Sequence, residues 1–295
     1  MSVHPCLYTT AVVPGAPAPV RDSLLRAANN GVRFLFDLAF GYSYPGGPLI
    51  GRPAPGNPVN GAVIYDVAGH ANGTFVAPGT EVTYAGGGFD FSAVTARENE
   101  LRGPSSALDG IITGDQEFAI CSYLKLPALA DWYTGSGIIP LFCTTSATAG
   151  YVSEADLVSI GYINGGILRA SRTTTALGAI ESRNVTLSSG MAGKVSQVLY
   201  WRDAVSTGIR VRNSAGTLVH QAASGAPASV SLGTRTPRWG VCRSLWDFGT
   251  KPSLANANKF RLYRGWIEDL QLSGRNALEV ADADYERTMA RVAFS

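Results

Sequence analysis

Residues 32–40 of the chain, VRFLFDLAF, alternate. Val32, Phe34, Phe36, Leu38 and Phe40 fall on one parity, and Arg33, Leu35, Asp37 and Ala39 on the other. A two-residue period suits a strand with one apolar face and no helix. The same beat returns in AVIYDV (62–67), GTFVA (73–77), EVTYA (81–85), FAICSYLKL (118–126), IIPLFCT (138–144), VSQVLYWRD (195–203) and GIRVRNSAGTLVHQA (208–222). Pro140 in IIPLFCT suits an edge or a bulge. DLVSIGYINGGILRASRT (156–173) reads as a hairpin, with Asn164-Gly165 supplying the positive φ of a primed turn. Runs of this length recur at hairpin spacing with no βαβ rhythm, so the chain is expected to be all-β, an antiparallel two-sheet sandwich. Its 34 glycines and 16 prolines provide the turns that so many short strands require.

Helical periodicity enters only near the end of the sequence. In NALEVADADYERTMARVAF (276–294), Leu278, Ala281, Tyr285, Met289 and Val292 share a face. Asp282, Asp284 and Glu286 precede Arg287 and Arg291, the order a helix dipole favours. At the other end, residues 1–30 read as an arm. PGAPAP (14–19) favours extended backbone, and a short helix is expected in VRDSLLRAANNG, capped by Asp22 and stopped at Asn30-Gly31. The expected division is an arm at 1–30 and a single β domain at 31–295.

Several chemistries find no support in the composition. A net charge of +2 gives no field suited to nucleic acid. No apolar run reaches membrane-spanning length. The first residues lack a basic start followed by an apolar stretch, so synthesis in the cytoplasm without a signal peptide is expected. The four cysteines, Cys6, Cys121, Cys143 and Cys242, form no C-x-x-C pair, and only His4, His70 and His220 could join them on zinc. Free, buried thiols are the expectation.

Nucleophile and phosphate signatures fail as well: Ser105 and Ser106 lie outside any G-x-S-x-G, and the glycines at 86–88 precede a strand. Two acidic pairs invite a catalytic reading. Glu98 and Glu100 would share a strand face, but Arg102 stands where a third acid would complete the alternate pattern. A solvated loop or strand edge is their expected place. In RLYRGWIEDLQL (261–272), Leu262, Trp266, Leu270 and Leu272 fall on one parity and Tyr263 and Ile267 on the other. One extra residue would produce that switch, so a β-bulge is expected at Glu268-Asp269, with both acids serving the backbone.

Two stretches concentrate aromatic and arginine side chains: ADWYTGSG (130–137) with Trp132 and Tyr133, and RTPRWGVCRSLWDFG (235–249) with Arg238, Trp239, Arg243 and Trp246. Such rings stack on sugars and arginines bond hydroxyls or carboxylates, which makes these six the candidate ligand-binding residues; the same residue types also fill cores.

In order and spacing, FLFDLAF, YDVAGHANGTF (65–75), GGGFDFS (86–92), FAICSYLKLP, GIRVRNSAGTLV and FRLYRGWIEDLQLSGR resemble the laminin G-like, concanavalin A-type jelly-roll family. Asp66, Gly69, Asn72, Gly73 and Thr74 match its turn, with Ala68 where Ser is usual. The resemblance implies two curved sheets. It also implies a rim position where some members hold Ca²⁺, for which Asp66 and Asn72 are the candidates, although Asx residues build such turns without metal. Combined with the arm, it points to a bacteriophage virion protein without enzymatic activity. The expected role is tail-fibre or baseplate adhesion to host-surface glycan, with residues 1–30 contacting other virion proteins or sister subunits of a homo-oligomer. A ligand-free decoration protein and a glycan-cleaving enzyme are the alternatives.

Overall fold

The computed structural model describes residues 22–25, 31–45, 56–77, 79, 81–95, 98–111, 116–135, 137–144, 158–174, 180–227, 235–242, 259–291 and 294. These build an antiparallel two-sheet jelly-roll sandwich. The strands are β1 (Val32–Asp37), β2 (Val63–Ile64), β3 (Gly73–Val76), β4 (Thr83–Ala85), β5 (Gly88–Asp90), β6 (Asn99–Arg102), β7 (Phe118–Lys125), β8 (Ile139–Cys143), β9 (Val158–Ile163), β10 (Ile167–Thr173), β11 (Ile180–Thr186), β12 (Val195–Arg202), β13 (Ser206–Asn213), β14 (Gly216–Ala223), β15 (Arg238–Val241) and β16 (Arg261–Asp269). Two helices, α1 (Leu270–Ser273) and α2 (Ala277–Arg291), follow β16.

The first sheet runs β14-β13-β12-β7-β16-β5-β4, with β1 also paired to β16; the second runs β11-β10-β9-β8-β15-β6-β3-β2. Between them lies the main core, to which Phe34 and Phe36, Ile120, Val198, Leu101, Phe142, Ile160 and Trp239 all contribute. The outer face of the first sheet carries a second apolar layer, in which Leu35, Cys121, Leu199, Trp201 and Trp266 pack with Val280, Ala281 and Tyr285 of α2. Strand β1 is therefore buried on both sides, where alternation predicted a single apolar face: Phe34 and Phe36 enter the main core, and Val32 and Leu35 the second.

A bulge explains the parity switch of the last strand, but it sits earlier than expected. Against β7, the register of β16 slips between Leu262 and Arg264. Leu262 faces the main core and Tyr263 the second layer, and Arg264 follows Tyr263 outward toward Asp284 of α2. Glu268 and Asp269 end the strand, and of the two only Asp269 serves the backbone as expected, because Glu268 is taken up by an arginine side chain. Both Glu268 oxygens accept from Arg275 at 2.7 Å, and Asp269 caps α1 by accepting from the N–H of Leu272 while pairing with Arg33 at 2.9 Å. Gly265 faces inward in the same strand, where a Cβ would come within 2.7 Å of the Phe36 ring, so the residue is small because two aromatic side chains close over it.

The hairpin of β9 and β10 has a three-residue loop, since Ile163 pairs with Ile167, and its positive φ values belong to Gly165 and Gly166, one position later than predicted. Residues 22–25, placed in the arm by sequence, dock on the domain. Asp22 accepts from the N–H groups of Leu24 and Leu25 and closes a turn at 23–25, where a helix was expected, the rest of that expected helix lying outside the described residues, and Leu25 is buried in the second layer. Cys121, Cys143 and Cys242 are free and buried, while Cys6 lies outside the described residues.

Candidate functional site

Burial removes three of the six sequence candidates from any ligand-facing role. Trp239 stands in the main core, 4.9 Å from the Phe142 ring and 5.0 Å from Phe36, its indole N–H donating to Ser122 Oγ. Trp132 packs 5.0 Å from Tyr162 and donates to the Ile163 carbonyl at 2.6 Å. Arg238 is buried against Glu100 at 2.9 Å. Tyr133 is half-buried against the main core, and Arg243 and Trp246 lie outside the described residues. The large apolar area that makes Trp a good sugar platform makes it a better core residue wherever a sheet can cover it.

Glu100 corrects a second expectation. It lies on β6, an interior strand, and is fully buried with Oε1 accepting from Arg102 at 2.6 Å and Arg238 at 2.9 Å. Buried charge demands this pairing. Glu98, with φ of 71°, precedes the strand in left-handed backbone, so the two acids do not form an extended alternating pair.

Asp66 and Asn72 build the expected turn. Asp66 Oδ1 accepts from the N–H groups of Leu35 (2.8 Å) and Ala68 (2.9 Å), Oδ2 from that of His70 (2.5 Å), and the Asn72 side chain accepts from the N–H of Asp66. Burial outweighs these bonds and holds the Asp66 pKa above the ordinary carboxylate value. A carboxylate so engaged is a backbone clamp. Asp66→Ala would leave buried N–H groups unpaired, with an expected loss of about 1–3 kcal/mol in denaturant unfolding. The melting temperature should be the same in EDTA and in calcium; a calcium-dependent rise would restore the metal reading.

The feature that best suits a ligand is a cleft of about 330 Å³ at the rim of the first sheet. Asp90 ends β5, Lys125 ends β7, and Lys259, Phe260 and Arg261 lead into β16. Pro127 stops β7, and the chain turns through Leu129–Asp131 to bring Asp131 to the opening. Gly193, at φ of 76°, closes the far side by donating its N–H to the Pro127 carbonyl. Phe260 forms the floor, stacked 4.9 Å from Phe91.

Charge in this cleft is divided. Arg261 grips Asp90 through Nη2 at 2.7 Å and Nε at 3.2 Å. Burial favours the neutral acid, but the bonds from Ser92 and Arg261 prevail and hold the Asp90 pKa below its ordinary value. That pair is closed on itself. Lys125, Lys259 and Asp131 line the same space and make no ion pair among the described residues. Two ammonium groups and a carboxylate are thus available to a polar guest, over an apolar floor. Sequence reasoning singled out the 130–137 loop for its aromatics, yet the loop's contribution is Asp131. Lys125 and Lys259 were missed because only the folded register of β7 against β16 places them together: Lys125 pairs with Arg261. A second cleft, of about 430 Å³, is lined by Tyr44, Pro45, Asn57, Val59, Ala62, Val63 and Tyr65. It is lined by no charged side chain, the Asn57 side-chain carbonyl already accepts from the N–H of Tyr84, and the Tyr44 hydroxyl donates to Gly56.

No protein-family model matches the chain, and no curated protein sequence does. Among solved structures, the carbohydrate-binding module of the Ruminococcus gnavus IT-sialidase bound to α2,3-sialyllactose is similar at 13% identity over 67% of this chain and 91% of that one, with a TM-score of 0.40. Lectin II from Ulex europaeus is similar at 13% identity over 66% and 94%, with a TM-score of 0.37. The endo-β-1,4-glucuronan lyase of Trichoderma reesei is similar at 17% identity over 80% and 92%, with a TM-score of 0.40. Similarity at this level transfers no activity to the chain.

Proposed function

We propose that this chain is a non-enzymatic recognition module and that its ligand is a glycan held in the rim cleft. The observation that carries the reading is the set of Lys125, Lys259 and Asp131 side chains around the Phe260 floor, which make no ion pair among the described residues. Sugar hydroxyls take hydrogen bonds from ammonium groups and give them to a carboxylate, so the three groups form a complementary polar rim. The acids first considered for catalysis are otherwise occupied. Glu268 is held by Arg275, Asp269 by Arg33 and a helix cap, and Glu100 by two arginines. In the setting we propose, the domain is displayed on a bacteriophage virion, attached through the segment before residue 22; imaging the position and copy number of the chain in a particle would test this.

Binding of the purified chain to a glycan array is the direct test. Lys125→Glu with Lys259→Glu is expected to weaken any such binding at least tenfold, about 1.4 kcal/mol, without altering the far-ultraviolet circular dichroism. Binding to no glycan, or binding indifferent to both substitutions, would remove the cleft from consideration. The hydrolytic alternative requires an acid that reaches substrate, and Glu100, fully buried between Arg102 and Arg238, is sealed off from both clefts. Release of reducing ends from host polysaccharide by the wild type, abolished in Glu100→Gln, would establish that alternative instead.

A further inference from the structure

Among the described residues, five strands pair on one side only: β1, β2, β4, β11 and β14. Such edges present unpaired main-chain groups and are ordinarily kept short, charged or covered. Four of the five follow that rule. Strands β2 and β4 have two and three residues. All of β1 is buried except the half-buried Arg33. Strand β11 carries Glu181 and Arg183. Strand β14 does not: GTLVHQAA is eight residues long, has no Asp, Glu, Lys or Arg, and is exposed along its whole length apart from Leu218.

Its open groups can be identified. The N–H of Ser224 donates to the Val205 carbonyl at 3.0 Å, in register with the ladder that pairs Ser206 with Ala223 and Asn213 with Gly216. In an antiparallel ladder, bonded and non-bonded pairs alternate. Leu218, His220 and Ala222 therefore spend their main-chain groups on β13. Thr217, Val219, Gln221 and Ala223 point theirs away from the sheet. Val219 is also 48% exposed, among the most open of the large apolar side chains.

We infer that a second copy of this chain adds its own β14 antiparallel to this strand, across a two-fold axis at Val219, making one continuous sheet from two. An antiparallel edge is its own complement under a two-fold axis, which is what selects a copy of the same chain as the occupant. Centred on Val219, the pairing sets Val219 against the partner's Val219 and Thr217 against the partner's Gln221, and closes about six main-chain hydrogen bonds. Charge does not oppose the approach. The nearest cations, Arg210 and Arg212 on β13, are bound to Asp282 at 2.8 and 2.7 Å, and Arg212 also to Glu286. His220, the one titratable side chain in the strand, turns its ring to the main chain of Asn184 on β11. This surface lies on β14 and stands independently of the rim cleft.

Sedimentation equilibrium of the full chain tests the inference, with two variants. Val219→Pro deletes an outward N–H and no bond of the β13–β14 ladder, so a folded protein with at least roughly tenfold weaker self-association is expected. Val219→Cys should cross-link to a covalent dimer under mild oxidation while the wild type does not, because facing residues at the axis lie within disulfide reach. A wild-type chain that stays monomeric as its concentration rises would overturn the inference. So would a dimer in which Val219→Cys fails to cross-link, even if Val219→Pro proved unable to fold.

Discussion

Arg264→Met should unfold at markedly lower denaturant concentration than the wild type, with a loss of about 3–5 kcal/mol. Arg264 is 1% exposed and lies between three carboxylates: Asp37 at 2.8 Å, Asp22 at 2.9 Å and Asp284 at 2.9 Å. Asp37 is its cross-strand partner on β1, Asp284 comes from α2, and Asp22 from the segment ahead of β1. One guanidinium thus ties together a sheet, a helix and an N-terminal turn. Asp284 accepts in addition from the Tyr123 hydroxyl and the Trp266 indole, each at 2.9 Å. Methionine conserves much of the volume and none of the charge, so Asp37 would lose its guanidinium and Asp284 would keep only Arg287, at 3.3 Å. The penalty arises from buried carboxylates left short of positive charge, more than from the lost attraction itself.

The pH dependence of the deficit separates this explanation from simple repacking. In the wild type, burial alone would raise the Asp22 pKa, but Arg264, the Leu25 N–H and Arg287 outweigh it and hold the pKa below 3.8. A depressed acid stabilises the fold above its unfolded pKa, and that contribution is lost as pH falls through the folded value. The wild type should therefore lose stability in acid below about pH 4. In Arg264→Met, Asp22 loses the largest cause of its depressed pKa and has less stability to surrender in acid, so the gap between the two proteins should be widest near neutrality and close as the medium is acidified. A gap that stays constant from pH 7 to pH 3 would mean that volume, not charge, sets the cost.

These tertiary ties mark the boundary of what the sequence discloses. Period-two runs revealed β1, β7, β9, β10 and β12–β14, and helical spacing revealed α2, because each has an apolar side that local spacing exposes. Strand β11, IESRNVT, was missed: an edge strand with one buried residue, Val185, leaves no apolar period to read. The parity switch in β16 was legible, yet its bulge was placed at Glu268-Asp269 because adjacent acids look like an interruption. The slip lies at Tyr263-Arg264, where Asp284 of α2 provides a carboxylate for a second consecutive outward side chain, a partner that sequence distance conceals. The rim cleft was invisible for the same reason. Its lysines are more than a hundred positions apart and meet only through the pairing of β7 with β16.

Trp239→Ala should cost a further-reaching loss, about 3–5 kcal/mol, through packing alone. Trp239 is wholly buried on the short strand β15, and its ring meets Phe34 at 5.8 Å, Phe36 at 5.0 Å and Phe142 at 4.9 Å. Those partners come from both sheets, β1 in the first and β8 in the second, so the indole is a bolt through the sandwich. Truncation removes a large apolar surface, opens a cavity that four-residue β15 cannot collapse, and leaves the Ser122 hydroxyl without its donor. Trp239→Phe should recover most of the stability, because the ring is kept and only the hydrogen bond and the second ring are lost. The same pair of variants decides whether the residue ever meets ligand. Trp239→Phe is expected to bind any glycan the wild type binds with unchanged affinity, since no part of the side chain reaches the rim cleft. A stable Trp239→Phe protein that had lost binding would place the ligand against β15 and not at Lys125 and Lys259.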